Sequence, residues 1–273
     1  MVRRLTLIAG EGGLVPIMVD AARRAGDALQ ILDLAGRTDL PPEHTQRARL
    51  SDAGAVLDAI RAFRTSHVLM AGGIHISDAD RKGIARALGP VGALAGGLGD
   101  IGLAGAMLLF ARLQRLRLIG AHELAPELVA PSGQIAGPVI DGRAQALCRA
   151  ALGAARSIGA IDLGQSIVMA GTRAVAAEDA SGTDALLERV ARMRDDGLIG
   201  NGGDRLILAK ARKPRQPSFV DLPAIGPDTV SRAARAGIGI IAVEAGASLL
   251  IDRPALAATA QEFGISIVGA RHG

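Results

Sequence analysis

The sequence predicts an α/β protein of two α/β domains, an N-terminal Rossmann-like parallel sheet and a C-terminal mixed sheet. Three observations predict this fold class. Short apolar runs alternate with segments of helical periodicity. Glycine turns follow two of the early runs, and a proline- and glycine-rich stretch separates halves of different rhythm. The length of 273 residues also suits two domains of roughly 130 residues each.

In the first half, strand-like and helix-like segments alternate. The predicted strands are 5–9, 28–34, 66–70 and 116–119, and the predicted helices are 14–24, 53–63, 78–88 and 101–113. Gly26 follows the first helix as a suitable C-cap. Strands separated by helices imply right-handed crossovers and therefore a parallel sheet.

The second half follows a break in composition. We assign residues 1–130 to an N-terminal domain, 131–142 to a linker, and 143–273 to a C-terminal domain. The linker assignment depends on five prolines and glycines between 131 and 142 that are expected to interrupt regular structure. In the second domain, helices are predicted at 143–159, 183–195, 227–236 and 253–263, and strands at 163–169, 173–178, 206–211, 238–243, 248–251 and 265–268.

Charge and composition narrow the choice of partners. The net charge is +4, and the densest basic stretch, 210–215, is short. Such a stretch suits a small phosphate-bearing substrate or an anionic membrane surface. With no Trp, no Tyr and four Phe, the chain has few rings to stack on bases, so no nucleic-acid partner is expected.

Cysteine content and hydropathy bear on location. The single cysteine, Cys148, cannot form an internal disulfide, so a reducing compartment is expected. The apolar run after Arg3 and Arg4 is too short for a signal segment. No uncharged apolar stretch approaches the roughly 20 residues of a spanning helix. We expect a protein that does not cross the membrane.

Two glycine turns follow strands of the first predicted sheet. Gly10-Glu11-Gly12-Gly13 leads into a helix, whose free N–H groups would suit a phosphate. The dinucleotide fingerprint requires a glycine where Val15 stands, which favours a nucleotide phosphate over NAD. Asp33 ends the second strand, about where a ribose-binding acid would lie. An ordinary turn without a ligand stays open.

The second turn, Gly72-Gly73, follows the third predicted strand. Ligands of open parallel sheets bind outside the carboxyl ends of the strands. We therefore expect this turn beside the first one, with Gly12, Gly13, Gly72 and Gly73 facing a nucleotide or a sugar. The alternative is again plain turn chemistry.

The second domain contains the acids of interest. Glu178 ends a strand, and Ser181-Gly182-Thr183-Asp184 then opens a helix. One interpretation is a capped helix start. The functional interpretation adds a phosphate contact from Thr183 or a metal contact from Asp184.

A basic loop and a proline-flanked acid follow the next strand. Lys210 ends the strand, residues 213–217 form a rigid basic loop, and Asp221 precedes a helix that contains Thr229 in its first turn. Carboxylate oxygens suit Mg²⁺ or Mn²⁺, and neighbouring cations suit phosphate charge. Metal-assisted pyrophosphate hydrolysis needs this mixture.

Other hydrolytic chemistries lack their motifs. The five histidines are scattered without a metal-ligand spacing such as HExxH. No Gly-x-Ser-x-Gly turn is present for a serine nucleophile.

The second-half motifs together resemble those of a known family. They are Gly182-Thr183-Asp184, Lys210, Lys213-Pro214-x-Gln216 and Asp221-x-Pro223-x-x-Gly226-Pro227-x-Thr229, with Asp162-x-Gly164-Gln165 upstream and Ala242-Val243-Glu244-Ala245-Gly246 downstream. In the first half, Gly12-x-Leu14-Val15-Pro16 and Ala71-Gly72 also match. The chain resembles the two-domain UDP-2,3-diacylglucosamine pyrophosphatases of bacteria that lack the calcineurin-like enzyme for this step.

This resemblance implies an activity, a cofactor and a location. The implied reaction is Mg²⁺-dependent attack of water on the pyrophosphate, with Mn²⁺ as the alternative ion, giving UMP and 2,3-diacylglucosamine 1-phosphate in lipid A synthesis. The implied partner is the UDP-linked diacyl sugar lipid, held between a nucleotide-side domain, residues 1–130, and a catalytic-type domain, residues 143–273. A cytoplasmic protein that contacts the inner face of the inner membrane is expected, and a homodimer stays open.

The resemblance also implies roles for individual residues. Asp221 corresponds to the family's critical aspartate and would act in catalysis and metal binding. The remaining implied set comprises Asp184 and Lys210 for catalysis, Glu178 for metal binding, and Gln165, Thr183, Lys213, Gln216 and Thr229 for substrate binding.

Four positions depart from the family pattern and leave alternatives open. Arg215, Pro217 and Phe219 replace a glycine, an acid and an arginine of the family loop, and Ser181 replaces a glutamate. A divergent binding protein for nucleotide sugars or lipids is therefore the second hypothesis. A third, an NAD-dependent dehydrogenase, depends on the first glycine turn and Asp33.

Overall fold

The computed structural model describes residues 2–74, 76–95, 100–200, 205–214 and 222–271. The chain divides into two compact units, with the change between Pro126 and Glu127. Each unit has its own sheet and its own buried clusters. The predicted fold class, two α/β domains, is confirmed.

The first unit is a five-stranded sheet surrounded by helices. In chain order its elements are β1 (Arg4–Ala9), α1 (Leu14–Arg24), β2 (Ala28–Asp33), β3 (Thr45–Arg47), α2 (Ala53–Ala62), β4 (His67–Ala71), α3 (Asp78–Ala87), α4 (Pro90–Ala95), α5 (Asp100–Leu113), β5 (Arg117–Ile119) and α6 (Ala121–Leu124). The strand order is β3-β2-β1-β4-β5 and every pairing is parallel. This is the predicted Rossmann-like sheet.

Strand β1 lies at the centre of this sheet, and its position follows from its sequence. Leu5 to Ala9 are all buried, as a strand with helices on both faces requires. Strand β3 was not predicted, because Thr45-Gln46-Arg47 is polar and forms an edge that needs no apolar alternation.

The second unit contains the predicted mixed sheet. Its elements are β6 (Gly133–Ala136), α7 (Gly142–Ala160), β7 (Ser166–Ala170), β8 (Arg173–Ala177), α8 (Gly182–Asp195), β9 (Leu206–Lys210), β10 (Ala224–Ile225), α9 (Pro227–Arg235), β11 (Ile238–Glu244), β12 (Leu249–Leu250), α10 (Arg253–Glu262) and β13 (Ser266–Ala270). Six strands pair in the order β6-β13-β11-β9-β7-β8, and β10 and β12 form a separate parallel pair. Strands β9, β11 and β13 are parallel, whereas β6 and β7 run antiparallel to their neighbours.

Helices cover both faces of the second sheet. Apolar residues of α8, α9 and α10 form one buried cluster with the strands. Helix α7 forms the other cluster, which includes Cys148 with no exposed surface. Burial raises the pKa of the Cys148 thiol to about 11, so the thiol stays protonated and serves as a packing group.

The segment predicted to be a linker, residues 131–142, is not free of regular structure. Strand β6 lies within it and pairs antiparallel with β13 at the edge of the second sheet. Pro131 and Pro138 flank the strand and do not interrupt it, and an edge strand needs few ladder bonds. The prediction that prolines and glycines break every element here is therefore wrong.

Within the described part of the chain, no helix is long and apolar enough to cross a membrane.

Candidate active site

The strand order of the first sheet reverses between β1 and β4. Strands β2 and β3 lie on one side of β1, whereas β4 and β5 lie on the other. In open parallel sheets such a reversal separates the loops at the carboxyl ends and leaves a crevice for ligands. The two predicted glycine turns follow β1 and β4 and therefore lie at this crevice.

The two turns are bonded directly to each other. The Glu11 N–H donates to the Gly73 carbonyl at 2.9 Å, and the Gly73 N–H donates back to the Glu11 carbonyl at 2.9 Å. A Cβ on Gly10 would lie 2.3 Å from the Gly73 carbonyl oxygen. Gly72 has φ +86°, and a Cβ there would lie 2.3 Å from the Glu11 carbonyl oxygen. The glycines allow this close approach.

A cavity of about 310 Å³ opens at this edge of the first sheet. Its lining residues come from the loops after β1, β2, β3 and β4 and from the start of α3; they are Gly10, Glu11, Leu34, Ala35, Arg49, Leu50, Ser51, Gly73, Ile74 and Asp80. Gly73 thus lies at the cavity, while Gly12 and Gly13 are exposed at the start of α1. The volume is at the small end of the range for ligand pockets.

Asp33 is committed to its own loop. Its carboxylate, 3% exposed, accepts hydrogen bonds from the N–H groups of Ala35, Gly36 and Arg37 at 2.9 to 3.0 Å. The side chain of Arg37 then donates to the carbonyls of Gly10 and Gly12. The acid that motivated the dehydrogenase hypothesis therefore shapes a turn, and its oxygens are occupied.

The carboxyl edge of the second sheet gathers polar side chains from four strands. Lys210 and Glu244 end the parallel strands β9 and β11. Because β7 is antiparallel, its first residue, Ser166, lies opposite Lys210. Glu178 follows β8, and its N–H donates to the Ser166 carbonyl at 2.8 Å. All four residues are at most 8% exposed.

Thr183 joins Lys210 to Glu178. The Lys210 Nζ donates to Thr183 Oγ1 at 2.9 Å and to the Ala224 carbonyl at 3.2 Å. The Thr183 hydroxyl donates to Glu178 Oε2 at 2.8 Å, and Ser166 Oγ lies 3.2 Å from Thr183 Oγ1. Hydroxyl, ammonium and carboxylate thus form one network at the N-terminus of α8, where free N–H groups also favour anions.

Asp184 points away from this network. Its side chain is 62% exposed and makes an ion pair with Arg232 of α9, with 3.4 Å between the charged atoms. The structure brings together three of the predicted site residues, Glu178, Thr183 and Lys210. It does not bring Asp184 to them.

The loop after β9 holds Lys213. The Lys213 Nζ donates to Asp162 Oδ1 at 2.8 Å, and both side chains are mostly buried. Gln165 supports the same loop through its carbonyl, which accepts from the Ala211 N–H at 3.0 Å. Lys213 and Gln165 therefore lie on neighbouring segments at the edge that Lys210 occupies.

The remaining predicted residues have other positions. Thr229 lies in the first turn of α9 and accepts a hydrogen bond from the Gly226 N–H at 3.5 Å, a helix-capping contact. Asp221 and Gln216 lie outside the described residues, as do Arg215, Pro217 and Phe219. Ser181, the fourth departure from the family pattern, bonds Asp179 through its hydroxyl.

Metal binding at this edge would depend on carboxylate ligands. No group of three or more His, Cys, Asp or Glu side chains in the described part of the chain is placed to hold a metal ion. Glu178 contributes one buried carboxylate. Mg²⁺ sites commonly use one or two protein carboxylates and complete the shell with water and substrate phosphate. The oxygen donor of Glu178 therefore fits Mg²⁺.

Sequence reasoning missed two members of this edge. Ser166 was assigned only to a strand, and a serine at a strand start carries no signal of a site. Glu244 was noted as part of a matching motif without a role. Its position at the end of an apolar strand, like that of Lys210, was a signal that could have found it.

Comparison with known proteins identifies the family. Residues 4–128 match the profile of the LpxI N-terminal domain, and residues 131–268 match that of the LpxI C-terminal domain. The chain belongs to the LpxI family. A relative from Caulobacter vibrioides, UDP-2,3-diacylglucosamine pyrophosphatase LpxI, is 34% identical over 98% of this chain and 97% of its own length.

The LpxI match covers both units and every strand described above except the last two residues of β13. The C-terminal profile begins at residue 131 and therefore includes β6. The N-terminal profile covers both glycine turns and the cavity between them. The family resemblance predicted from the motifs is thus confirmed.

Gly10→Ala is expected to destabilise the protein by about 1–3 kcal/mol, because the new methyl group would overlap the Gly73 carbonyl. Denaturant unfolding would measure the change. The matched control is Gly105→Ala in α5, where a Cβ would meet nothing within 4 Å. Alanine at an exposed helical glycine is expected to be neutral or stabilising. Equal stability of both variants would contradict the close packing of the turns.

Thr183→Val is expected to lower the free energy of unfolding by about 1–3 kcal/mol, because the buried Lys210 and Glu178 would each lose a hydrogen-bond partner. Thr183→Ser retains the hydroxyl and should recover most of the loss. Thr172→Val, in the exposed turn after β7, is the control and should change stability by less than about 0.5 kcal/mol. A Thr183→Val variant as stable as the control would exclude the network as a stabilising element.

Proposed function

We propose that this protein hydrolyses the pyrophosphate bond of UDP-2,3-diacylglucosamine in lipid A synthesis. The products would be UMP and 2,3-diacylglucosamine 1-phosphate, known as lipid X. The observation that carries the proposal is the alignment with a UDP-2,3-diacylglucosamine pyrophosphatase over 98% of the chain. Both LpxI domain profiles match this chain, and the alignment covers 97% of the relative's own length.

The second unit would supply the phosphate-binding groups. Lys210 carries a buried positive charge whose direction is set by Thr183 and the Ala224 carbonyl. Lys213 lies on the loop that follows. Within the described residues, the buried Arg212 Nε has no hydrogen-bond acceptor, and a phosphate oxygen would provide one. Preorganised cations of this kind stabilise the charge that develops on a transferring phosphoryl group.

The reaction needs one water molecule and breaks one P–O bond. Oxygen from water adds to one phosphorus, the bridging oxygen leaves with the other phosphate, and the protons of water are shared between products and solvent. In the proposal Asp221 positions the attacking water, while Asp184, which is paired with Arg232 at the surface, would have to leave that ion pair to assist. Gln165, Thr183, Gln216 and Thr229 would hold the phosphates and sugar.

Mg²⁺ would be held by Glu178 and Asp221, with Mn²⁺ as a substitute. When bound, such an ion neutralises phosphate charge and lowers the pKa of coordinated water. Lys210 would also help to neutralise phosphate charge, because Thr183 bonds to both Lys210 and Glu178 and so keeps the lysine close to the metal ligand.

The first unit would hold the nucleotide part of the substrate. Gly12, Gly13, Gly72 and Gly73 belong to the two turns at the strand-order reversal, where nucleotides bind in open sheets. The cavity beside Gly73 offers Arg49 and Ser51 as hydrogen-bonding groups. The proposed ligand of the first unit is therefore a nucleotide phosphate and not NAD.

Asp221→Ala is expected to lower kcat for UMP release by about 10²-fold or more. UMP would be measured by chromatography with UDP-2,3-diacylglucosamine and Mg²⁺, before and after chelation by EDTA. The matched control is Asp195→Asn at the exposed end of α8, which should retain wild-type activity. Full activity of the Asp221 variant, or no UMP release by the wild type, would sink the proposal. Tight copurifying ligand without turnover would favour the binding-protein alternative.

A diacyl substrate also implies that the protein contacts the cytoplasmic face of a membrane. In the proposal the protein could also assemble as a homodimer. Ile161 and Leu163 are 74% and 45% exposed on either side of Asp162, the partner of Lys213. Exposed apolar side chains of this kind suit an interfacial contact. Flotation with anionic phospholipid vesicles should carry the wild type upward and the Ile161→Ser, Leu163→Ser variant less. Equal flotation of the two would remove this surface from the proposal.

A further inference from the structure

Glu244 is the last residue of β11. This carboxylate is 6% exposed and lies at the carboxyl edge of the second sheet. Its neighbour Val243 is paired in register with Lys210, so Glu244 lies one residue beyond the level of that lysine. None of the roles assigned above uses it.

The two oxygens of Glu244 bond to two different elements. Oε1 accepts from Arg156 of α7 at 2.8 Å. Oε2 accepts from the backbone N–H of Arg212 at 2.9 Å. The carboxylate therefore joins the helix on one face of the sheet to the first residues of the loop after β9.

This loop is fixed at three successive residues. The Ala211 N–H bonds to the Gln165 carbonyl, the Arg212 N–H bonds to Glu244, and the Lys213 ammonium bonds to Asp162. Packing is also close at this point, since a Cβ on Gly159 would lie 3.2 Å from the Lys213 Cα. Of these three bonds, only the one to Glu244 joins a buried charged side chain to a backbone N–H.

An ion pair that includes a buried carboxylate, as Glu244 does with the partly buried Arg156, is a costly way to hold a loop. Desolvating a carboxylate and a guanidinium offsets much of their attraction, and apolar residues of similar volume often stabilise a core as well or better. The pair provides a defined geometry, because the two Glu244 oxygens must bond to the Arg156 side chain and the Arg212 N–H at the same time. Such a device is useful where a displacement of about 1 Å would cost catalysis about 10²-fold.

We propose that Glu244 is a positioning residue that holds the Arg212–Lys213 backbone so that the Lys213 ammonium meets a phosphate of the substrate. This inference rests on the proposed function, because it assigns Lys213 to phosphate binding. Glu244 touches no reacting atom; it acts through the loop that follows Lys210.

Glu244→Gln keeps the shape of the side chain and removes its charge. We expect kcat/KM for UMP release to fall about 10- to 100-fold. In a Lys213→Ala background the same substitution should cost less than about threefold, because the group through which Glu244 acts is already absent. An equal loss in both backgrounds, or no loss in either, would overturn the proposal. If Glu244→Gln does not fold, Glu244→Asp, which retains the charge and shortens the reach, is put through the same cycle.

The matched control is Asp27→Asn in the first unit. Asp27 is also a buried carboxylate, 3% exposed, and is bonded to Arg3 through both oxygens. It precedes β2 and so lies at the amino edge of its sheet, away from the glycine turns. This variant should lose stability and keep kcat/KM within about threefold. An equal loss of kcat/KM would show that general destabilisation explains the effect of Glu244→Gln and would overturn the proposal.

Hydrogen exchange separates this inference from the proposed function. The Arg212 amide should exchange about tenfold faster or more in Glu244→Gln than in the wild type. If the wild type releases no UMP, the proposed function fails, and faster exchange still shows that Glu244 anchors the loop. Unchanged exchange overturns the anchoring even in an active enzyme.

Discussion

A buried ammonium group constrains the second unit. Lys210 is 5% exposed at the end of a strand, so its charge requires oxygen atoms within hydrogen-bonding distance. Thr183 and the Ala224 carbonyl provide two of them. Thr183 is in place because β8 and α8 are joined by a short turn, and Ser166 is in place because β7 runs antiparallel to β9. The topology of the mixed sheet therefore places the polar groups that stabilise the buried charge of Lys210.

The first unit meets a different constraint, the approach of two backbones. The turns after β1 and β4 are joined by a pair of N–H to carbonyl bonds, and no side chain fits between them at Gly10 or Gly72. Arg37 closes the first turn from the other side by donating to the carbonyls of Gly10 and Gly12. The first turn is thus held by its neighbours on both sides. The first sheet shares its strand order with dinucleotide-binding folds. It differs from them in the contacts that fix the loop after β1.

The elements with strong periodicity could be predicted from the sequence. The eleven residues of α1 and the buried run of β1 were predicted within a residue of their observed ends, because apolar spacing and a following glycine define them. Strand β6 could not be predicted, since its signal is antiparallel pairing with β13, more than a hundred residues later in the chain. Short polar edges such as β3 carry no apolar pattern at all. Hydrophobic periodicity therefore does not predict which segments pair as edge strands of the two sheets.

The candidate site divides in the same way. Gly182-Thr183-Asp184 marks a helix start, but the motif does not say which side chain faces inward. Successive helical residues are rotated by about 100°, so Thr183 and Asp184 cannot share a direction. Here Thr183 meets Lys210, and Asp184 meets Arg232 on the surface. Since the inward position must satisfy a buried ammonium and a buried carboxylate at once, a hydroxyl, which can both donate and accept, suits it better than a second acid. The order threonine then aspartate follows from that requirement.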